Sequence, residues 1–231
     1  MSRYRHEEKY LLDAAQEALL RLRATAVLKP DPHARADGSY LIRSVYFDDA
    51  EDSCLRENLD GTDPRRKYRI RYYNRDPARI VLERKSKRQG LCLKESCRLS
   101  REECEQLLRG EVPAFREEDE TVRKKMFTEI RLAGLKPVNI VTYERIPFVY
   151  SGGNIRITFD RKLTDSRDLK RFLTGDYGQR PVLVPGQSLM EVKWDEMLSV
   201  HIREALQTEW LQRTAFSKYA VCRMTGIVGN W

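Results

Sequence analysis

One short stretch limits what this chain can fold into. Between Arg65 and Arg75 the sequence reads RRKYRIRYYNR, in which basic residues alternate with aromatic and aliphatic ones. In a β-strand, successive side chains point to opposite faces. The pattern therefore predicts a strand with two different faces. The cationic face holds Lys67, Arg69 and Arg71, and the apolar face holds Tyr68, Ile70 and Tyr72. The cationic face is either open to solvent or lines a site for anions.

Further segments repeat this alternation and predict strands of the same sheet, over residues 40–49, 78–86, 91–97, 139–150, 154–163 and 188–196. Lys and Arg outnumber Glu and Asp on the polar faces of these strands. Those faces carry Glu83, Lys85, Lys94, Tyr143, Arg145, Arg156, Glu191 and Lys193. Solvent exposure of one sheet face would explain a single strand of this kind. Repetition across five strands favours a curled sheet whose polar faces meet as a basic lumen.

The remaining segments predict helices. Apolar spacing is helical over residues 10–24, 51–61, 117–132 and 199–211, and a last helix is expected to start near residue 216. Ser100, with Glu103 three residues later and Gly110 beyond, predicts a capped helix. Seven or eight strands in consecutive hairpins with interspersed helices are typical of the α+β class. Because the chain shows no internal repeat or linker, we expect one domain over residues 1–231.

Composition narrows the possible partners. The 231 residues carry a formal net charge of +8, which favours anionic ligands such as nucleotides, polyphosphate, nucleic acid or acidic lipid. The sequence has no G-x-x-x-x-G-K-[ST] loop, so a P-loop ATPase is excluded. Five cysteines at spacings that fit no zinc motif predict reduced thiols. Without a secretory signal or an apolar run long enough to cross a membrane, the chain is expected to be cytoplasmic.

Three glutamates each precede a lysine by two positions: Glu7 and Lys9, Glu83 and Lys85, and Glu191 and Lys193. Two interpretations stay open for them. The carboxylates either form lateral ion pairs along a strand face or bind a hard metal ion such as Mg²⁺ or Mn²⁺ beside phosphate oxygens. Ser217 next to Lys218 is interpreted as a helix N-cap followed by a cation that faces phosphate.

Eight motifs in order resemble a known family: YRHEEKYLL, YLIRSVYFDD, KYRIRYYN, VLERKSKRQGLCLKES, VTYERIPF, IRITFD, LMEVKW and AFSKY. Together they resemble the catalytic domain of the vacuolar transporter chaperone (VTC) complex, a polyphosphate polymerase domain that is one of the triphosphate tunnel enzymes. The resemblance covers about residues 3–224. It implies an antiparallel eight-stranded, tunnel-like β-barrel with a basic lumen and flanking helices. It also implies transfer of the ATP γ-phosphate onto a polyphosphate chain with Mn²⁺ or Mg²⁺.

The resemblance also implies roles for individual residues. The residues that take part in catalysis would be Arg69, Arg71, Lys85, Arg145, Arg156 and Glu191. Phosphate would further contact Lys9, Lys94, Tyr143, Lys193, Ser217 and Lys218. The metal would be held by Glu191 and Glu7. The implied ligands are ATP, inorganic polyphosphate, triphosphate and pyrophosphate, with no nucleic acid expected.

Two positions depart from the pattern of the family. Arg5 stands where the superfamily motif E-x-E-x-K has its first glutamate, which weakens a two-metal hydrolase pattern. Ala215 stands where the fungal proteins have the first lysine of K-F-S-K, so one expected cation is missing. The membrane helices of the fungal proteins have no counterpart here. A separate membrane protein is therefore a candidate partner that would hold the domain at the inner face of a membrane.

Two other functions remain open at the level of sequence. The same fold could hydrolyse tripolyphosphate or a nucleoside triphosphate, with water as the acceptor. It could also bind polyphosphate without catalysis. The length of the product separates a polymerase from a hydrolase, and replacement of Glu191 separates a catalyst from a binding module.

Overall fold

The computed structural model of the chain describes residues 4–114, 121–175 and 177–228. Its main feature is one antiparallel sheet, whose strands follow each other in the spatial order β1-β10-β8-β7-β3-β4-β5-β6. The ten strands are β1 (His6–Leu12), β2 (Lys29–Pro30), β3 (Tyr40–Asp48), β4 (Arg65–Tyr73), β5 (Asp76–Arg88), β6 (Leu91–Leu99), β7 (Lys136–Tyr150), β8 (Ile155–Ser166), β9 (Arg180–Pro181) and β10 (Ser188–Trp194). The two-residue strands β2 and β9 pair with β7 and β8, outside the eight-strand path.

The sheet curls until its two edge strands approach each other. The backbone N–H of Arg5 donates to the carbonyl oxygen of Cys92 at 2.9 Å, and the N–H of Cys92 donates back at 3.0 Å. This bridge joins the start of β1 to β6 at one end of the strands. The result is a half-barrel with a concave and a convex face, which confirms the predicted α+β tunnel fold with eight antiparallel strands.

Within the described residues, six α-helices flank the sheet: α1 (Ala14–Val27), α2 (Ser53–Leu59), α3 (Arg101–Leu108), α4 (Thr121–Ala133), α5 (Val200–Leu206) and α6 (Lys218–Val228). Two apolar clusters cover the convex face. One packs Tyr68, Ile70 and Leu82 of the sheet against α3 and α4. The other packs Phe159 and Met190 of β8 and β10 among apolar residues of α1 and α5. Burial of the apolar positions of each strand leaves its polar positions on the concave face.

A third apolar cluster lies on the concave face. Tyr46 of β3 and Tyr143 of β7 pack there with Tyr219 of α6 and Leu55 of α2. The rings of Tyr46 and Tyr219 stack with their centroids 5.1 Å apart. This cluster holds the start of α6 against the inner wall of the half-barrel, so that residues before and within its first turn face the lumen.

Three of the predicted helices differ from the structure. Residues 6–12 form strand β1, and α1 begins only at Ala14 because Asp13 and Gln16 form a capping box there. The predicted helix 199–211 ends at Leu206, since Gln207 adopts a left-handed conformation with φ of 48°. Part of the predicted helix 117–132 falls outside the described residues, and α4 occupies Thr121–Ala133. The predicted capping box of Ser100 and Glu103 is present in α3.

Among the described residues, no helix combines the length and the apolar character that crossing a membrane would require.

Asp48 links three elements that position the concave face. Its buried carboxylate accepts hydrogen bonds from the N–H groups of Cys54 at 2.8 Å and Leu55 at 3.0 Å, in the first turn of α2. The hydroxyl of Tyr219 in α6 donates to the same carboxylate. Since Asp48 is fully buried, these three donors and the N–H of Asp49, at 2.9 Å, satisfy a carboxylate that has no access to water.

We therefore predict that Asp48→Asn lowers the free energy of unfolding by about 1–3 kcal/mol, because the amide cannot accept all three bonds. Urea denaturation followed by circular dichroism measures the change. Asp49→Asn is the matched control, since Asp49 accepts backbone bonds at the same helix from a more exposed position. Equal losses in the two variants would contradict the linking role of Asp48.

Candidate active site in the lumen of the half-barrel

The concave face encloses a central chamber of about 80 Å³. Seven of the side chains that line it are cationic and one is a carboxylate. The lining residues are Lys9, Tyr46, Lys67, Arg69, Lys85, Tyr143, Arg145, Glu191, Lys193, Ser217, Lys218 and Tyr219. Alternating positions of six strands and the start of α6 supply them. Since unpaired charges are costly away from water, their partners determine what the chamber can bind.

Glu191 of β10 is the carboxylate in the chamber lining. It accepts hydrogen bonds from Lys193 at 2.5 Å, Lys218 at 2.7 Å and Arg145 at 3.2 Å. Burial alone would raise the pKa of Glu191, but the charges of Lys193, Lys218 and Arg145 outweigh it and hold the pKa well below the ordinary range. Glu191 is therefore an anion at neutral pH, and its carboxylate binds three cations at once.

Asp160 of β8 lies behind two of these cations. Both of its oxygens accept bonds from Arg145, each at 2.6 Å, and Lys218 contacts it at 2.6 Å. The Lys218 ammonium thus bridges two carboxylates. Burial would lower the pKa of Lys218, but Asp160 and Glu191 raise it above its ordinary value, so the side chain stays charged. Asp160 is the one acid here that sequence reasoning did not assign to the site.

Glu83 of β5 holds a second group of cations. Its carboxylate contacts Arg69 at 2.6 Å, Lys94 at 3.3 Å and Arg71 at 3.5 Å, and only 2% of its side chain is exposed. Arg71 also donates to the hydroxyl groups of Ser44 and Tyr143. Arg71 is therefore buried on the concave face between the chamber and the wide mouth, whereas Arg69 lines the chamber.

Glu7 of β1 neutralises a third group of cations. It accepts bonds from Lys85 at 2.8 and 2.9 Å and lies 3.3 Å from Lys9. Lys193 is 3.8 Å from Glu7 and so stands between Glu7 and Glu191. Burial would raise the pKa of Glu7, but Lys85, Lys9 and Lys193 outweigh it and hold the pKa well below its ordinary value.

Lys67 of β4 differs from these cations. In the described part of the chain its ammonium has no carboxylate within ion-pair distance, and it donates to the hydroxyl of Ser217 at 2.9 Å. Burial lowers the pKa of Lys67 well below its ordinary value, and the nearby charges of Lys9, Lys85 and Arg65 lower it further. Ser217 also accepts the N–H of Ala220 at 3.2 Å, which confirms its predicted N-cap role.

Two cavities adjoin the chamber at opposite ends of strands β4 and β5. The narrow mouth, of about 120 Å³, shares Lys9, Lys67, Lys85 and Ser217 with the chamber lining. The wide mouth, of about 470 Å³, is lined by Tyr40, Tyr73, Glu83, Lys94, Arg156 and residues near them. The chamber and the wide mouth share no lining residue, and the ion pair of Arg69 and Glu83 lies between them.

Most of the predicted site residues converge in the central chamber or at its wall. Exceptions are Lys94 and Arg156, which lie in the wide mouth, and Arg71, which is buried between the chamber and the wide mouth. Arg156 donates at 2.6 Å both to Asp31 and to the hydroxyl of Tyr40. Their predicted roles in phosphate binding therefore apply to different parts of the lumen.

A family model, the VTC domain, matches residues 4–225. This chain belongs to the VTC domain family. Among curated proteins, none has a sequence that matches this chain significantly.

The fold of this VTC domain is similar to that of two proteins of known structure. A candidate adenylate cyclase from Bacillus halodurans has 16% identity and a TM-score of 0.50, over 89% of this chain and 87% of that chain. A candidate adenylyl cyclase from Hippeastrum, described as having a dominant triphosphatase activity, has 13% identity and a TM-score of 0.52, over 97% of this chain and 96% of that chain. At such identities the likeness establishes the fold alone.

The carboxylates of the VTC domain fit Mn²⁺ or Mg²⁺ only in part. Within the described residues, no three His, Cys, Asp or Glu side chains are grouped so that they could hold a metal ion. Glu191 and Glu7 have suitable oxygen donors, but lysines already contact both. Mg²⁺ in phosphate sites typically takes one or two carboxylates and fills its other positions with phosphate oxygens and water. The residues fit a metal that arrives with phosphate, and they do not form a metal cage alone.

Sequence reasoning missed Lys67, Asp160 and Asp31. The signal for Lys67 was present, since it alternates with Arg69 along β4. Asp160 likewise alternates with Arg156 along β8. Asp31 precedes β3 in a segment that was predicted only as a loop, and its contact with Arg156 joins positions 125 residues apart. Such a contact follows from the tertiary fold and leaves no local pattern.

Glu83→Gln should destabilise the VTC domain and strengthen its response to anions. Removing one partner of a buried ion pair typically costs about 3–5 kcal/mol, and here Arg69 and Arg71 would both lose their carboxylate. Tripolyphosphate should restore more of the lost stability in the variant than it adds to the wild type, because the freed Arg69 can bind it. Urea denaturation with and without tripolyphosphate measures both effects.

Glu95→Gln is the control for this comparison. Glu95 lies on the same hairpin and binds Arg84 and Lys125 on the other face of the sheet, with 17% of its side chain exposed. A Glu83→Gln protein as stable as the control would show that Glu83 is dispensable for the chamber wall.

The pKa of Lys193 predicts how anion binding depends on pH. Burial lowers the pKa of Lys193 from 10.5 to about 8, more than Glu191 and Glu7 raise it. In the free protein Lys193 therefore loses its charge as the pH rises through about 8. A bound polyanion favours the charged form, so binding should take up a proton above this pH, and affinity should fall as the pH rises further.

Calorimetric titration of tripolyphosphate in buffers of different ionisation enthalpy measures this proton uptake. Lys193→Met should abolish most of it and flatten the pH profile of affinity. Lys162→Gln, which removes an exposed lysine outside the chamber, should behave like the wild type. Identical proton uptake in wild type and Lys193→Met would assign the titration to another group.

Proposed function

We propose that this protein is a polyphosphate polymerase that transfers the γ-phosphate of ATP to the end of an inorganic polyphosphate chain in the central chamber. The observation that carries the proposal is the composition of the chamber lining, in which seven cationic side chains accompany one carboxylate. A site of this kind is electrostatically matched to a linear polyanion. The cavities at both ends of the strands support a chain as the product, since a chain needs a path beyond the reacting phosphates.

The residues of the chamber would neutralise and align the phosphates. Arg69 and Arg145 each bind a carboxylate through the Nε–Nη2 edge, so phosphate would contact their remaining N–H groups. Lys85 and Lys218 would add ammonium groups. Phosphoryl transfer depends mainly on positioning and charge neutralisation. Each of these cations already has a carboxylate partner that fixes its position, so little rearrangement is needed before phosphate binds.

The reaction itself is a direct transfer. The terminal oxygen of the chain forms a bond to the γ-phosphorus, and the bond between this phosphorus and the β,γ-bridging oxygen breaks. ADP leaves with the electron pair of that bond, and no proton is exchanged when the attacking oxygen is ionised. Glu191 and Glu7 are the residues that would hold a divalent cation, whose chemistry would be the withdrawal of charge from the transferred group.

The direct test is an incubation of the purified protein with ATP and Mn²⁺, with products resolved on a gel stained for polyphosphate and with free phosphate assayed in parallel. A ladder of long chains together with ADP is expected. Orthophosphate without chains would show that the protein hydrolyses ATP and does not polymerise phosphate. ATP that raises the melting temperature without any product would indicate a binding module.

Glu191→Gln should remove metal-dependent turnover and leave or improve anion binding, because it deletes a negative charge from a cationic chamber. We expect chain synthesis to fall by about 10²-fold or more, the size of effect that loss of one electrostatic contact to the transition state produces. Glu144→Gln is the control, since Glu144 binds Arg161 and Lys162 outside the chamber. Undiminished synthesis in Glu191→Gln would refute its assigned role.

Hydrolysis of a triphosphate is the second candidate. The Hippeastrum protein of similar fold is described as having a dominant triphosphatase activity, and water could replace the chain end as the acceptor. Arg5 disfavours this candidate, because it stands where the superfamily motif has a carboxylate and instead pairs with Asp195 at 2.8 Å.

A further inference from the structure

The outer face of α1 is uncharged, although a helix at a protein surface normally turns charged residues outward. One side of α1 packs into the apolar cluster on the convex face of the sheet. The charged residues of α1 lie on that inner side or at its margins. Glu17 is buried and pairs with Arg21 at 3.5 Å, and Arg23 donates to the carbonyl oxygen of Leu206 at 3.1 Å. All of α1 lies in the described part of the chain, and its exposed residues are Ala14, Ala15, Ala18, Leu19, Leu22, Thr25 and Ala26.

The exposed residues of α1 include a seam with the spacing of a coiled coil. The seam consists of Ala15, Leu19, Leu22 and Ala26. Its steps of four, three and four positions are those of positions d, a, d and a in a heptad, which pack against another helix. Leu22 is 71% exposed and Leu19 is 41% exposed, so the described part of the chain does not cover the seam. A contiguous apolar surface of this kind marks an interaction site.

The order of large and small residues makes the seam complementary to itself. When two copies of α1 run antiparallel, positions a of one helix meet positions d of the other. Leu19 then meets Leu22 of the second copy at the centre of the contact. Ala15 meets Ala26 of the second copy at each end, and these small side chains allow the two helix axes to approach closely. A two-fold axis relates both halves, as in other contacts between identical surfaces.

The flanks of the seam also suit a second copy of the chain. Ala18 and Thr25 lie along one flank, and Gln16 and Arg23 lie along the other. In the antiparallel pair each flank meets the same flank of the second copy. Arg23 therefore lies beside Gln16 of the second copy, and no like charges meet directly across the seam.

The ends of α1 and the size of its exposed side chains support the same occupant. Asp13, exposed at the start of α1, comes to the end of the second helix, where Lys29 is exposed. A lipid surface would instead call for bulky apolar residues beside a face rich in Lys and Arg. Alanines at close-packing positions suit another helix better than they suit lipid.

We propose that the outer face of α1 is the interface of an antiparallel homodimer in solution. The interface is small, because α1 has 14 residues, and small interfaces are weak and transient. Dimerisation is therefore expected at micromolar or higher protein concentration. Since α1 lies on the convex face, dimerisation leaves the lumen of both copies open. The dimer does not depend on the proposed polymerase function.

Sedimentation equilibrium of the full chain, from low micromolar to near-millimolar concentration, tests the interface. The average mass of the wild type should rise from one chain toward two. Leu22→Glu should raise the dissociation constant of the dimer by about tenfold or more, because it places an unpaired charge at the centre of the seam. Leu132→Glu is the matched control, since it changes another exposed leucine on a different helix, α4, and should dimerise like the wild type. Glutamate is a good helix former, so circular dichroism should show both variants folded.

Disulfide cross-linking tests the antiparallel order. Leu19→Cys and Leu22→Cys are each made with Cys92→Ser, because the other four cysteines are buried. The two proteins are mixed and treated with a mild oxidant. A disulfide requires Cα atoms within about 7 Å of each other, so the mixed disulfide should form several-fold faster than either homodimeric disulfide.

A wild-type chain that stays monomeric at the highest concentration would overturn the proposal, and so would equal association of Leu22→Glu and wild type. Faster formation of the homodimeric disulfides would overturn the antiparallel order. Flotation with phosphatidylglycerol vesicles tests the other occupant. Binding by a monomeric wild type that is lost in Leu22→Glu would assign the face to a membrane surface and overturn the dimer. None of these measurements depends on turnover, so the absence of polyphosphate synthesis would leave the dimer intact.

Discussion

The bridging of buried carboxylates by cations is the interaction on which this structure depends. Lys218 stands between Asp160 and Glu191, and Arg145 contacts the same two acids. Neither the acids nor the cations could be buried alone, because an unpaired charge away from water is costly. The four residues come from β7, β8, β10 and α6, so their pairing ties the last helix to the sheet as well as shaping the chamber.

The same pairing explains why a basic lumen is compatible with a stable fold. Glu83 and Glu7 each serve several cations, and together with Asp160 and Glu191 they leave a positive excess that is largest around Lys67 and the narrow mouth. The protein is thus neutralised enough to fold and cationic enough to bind an anion. Phosphate groups would complete a set of interactions that the chain itself leaves incomplete.

Function follows from how this excess of charge is distributed. A closed pocket lined by cations would suit a single triphosphate, whereas cavities at both ends of the strands suit a longer chain. The charged narrow mouth and the balanced, aromatic wide mouth give the lumen two chemically different ends. The VTC family assignment and the basic lining of the chamber both support the proposed phosphate chemistry.

The sequence by itself determined most of the long strands other than β1, their alternation and the basic character of one sheet face, because side-chain direction in a strand is a local property with a period of two. That alternation also selected Arg69, Lys85, Arg145 and Glu191, and the capping box of α3 was equally local. Only the tertiary structure decided that Arg71 is buried against Glu83 and Tyr143, that Arg156 pairs with Asp31, and that Asp160 shares Lys218 with Glu191. Those contacts join distant strands through the curl of the sheet, and no short-range pattern records how strands of different register meet.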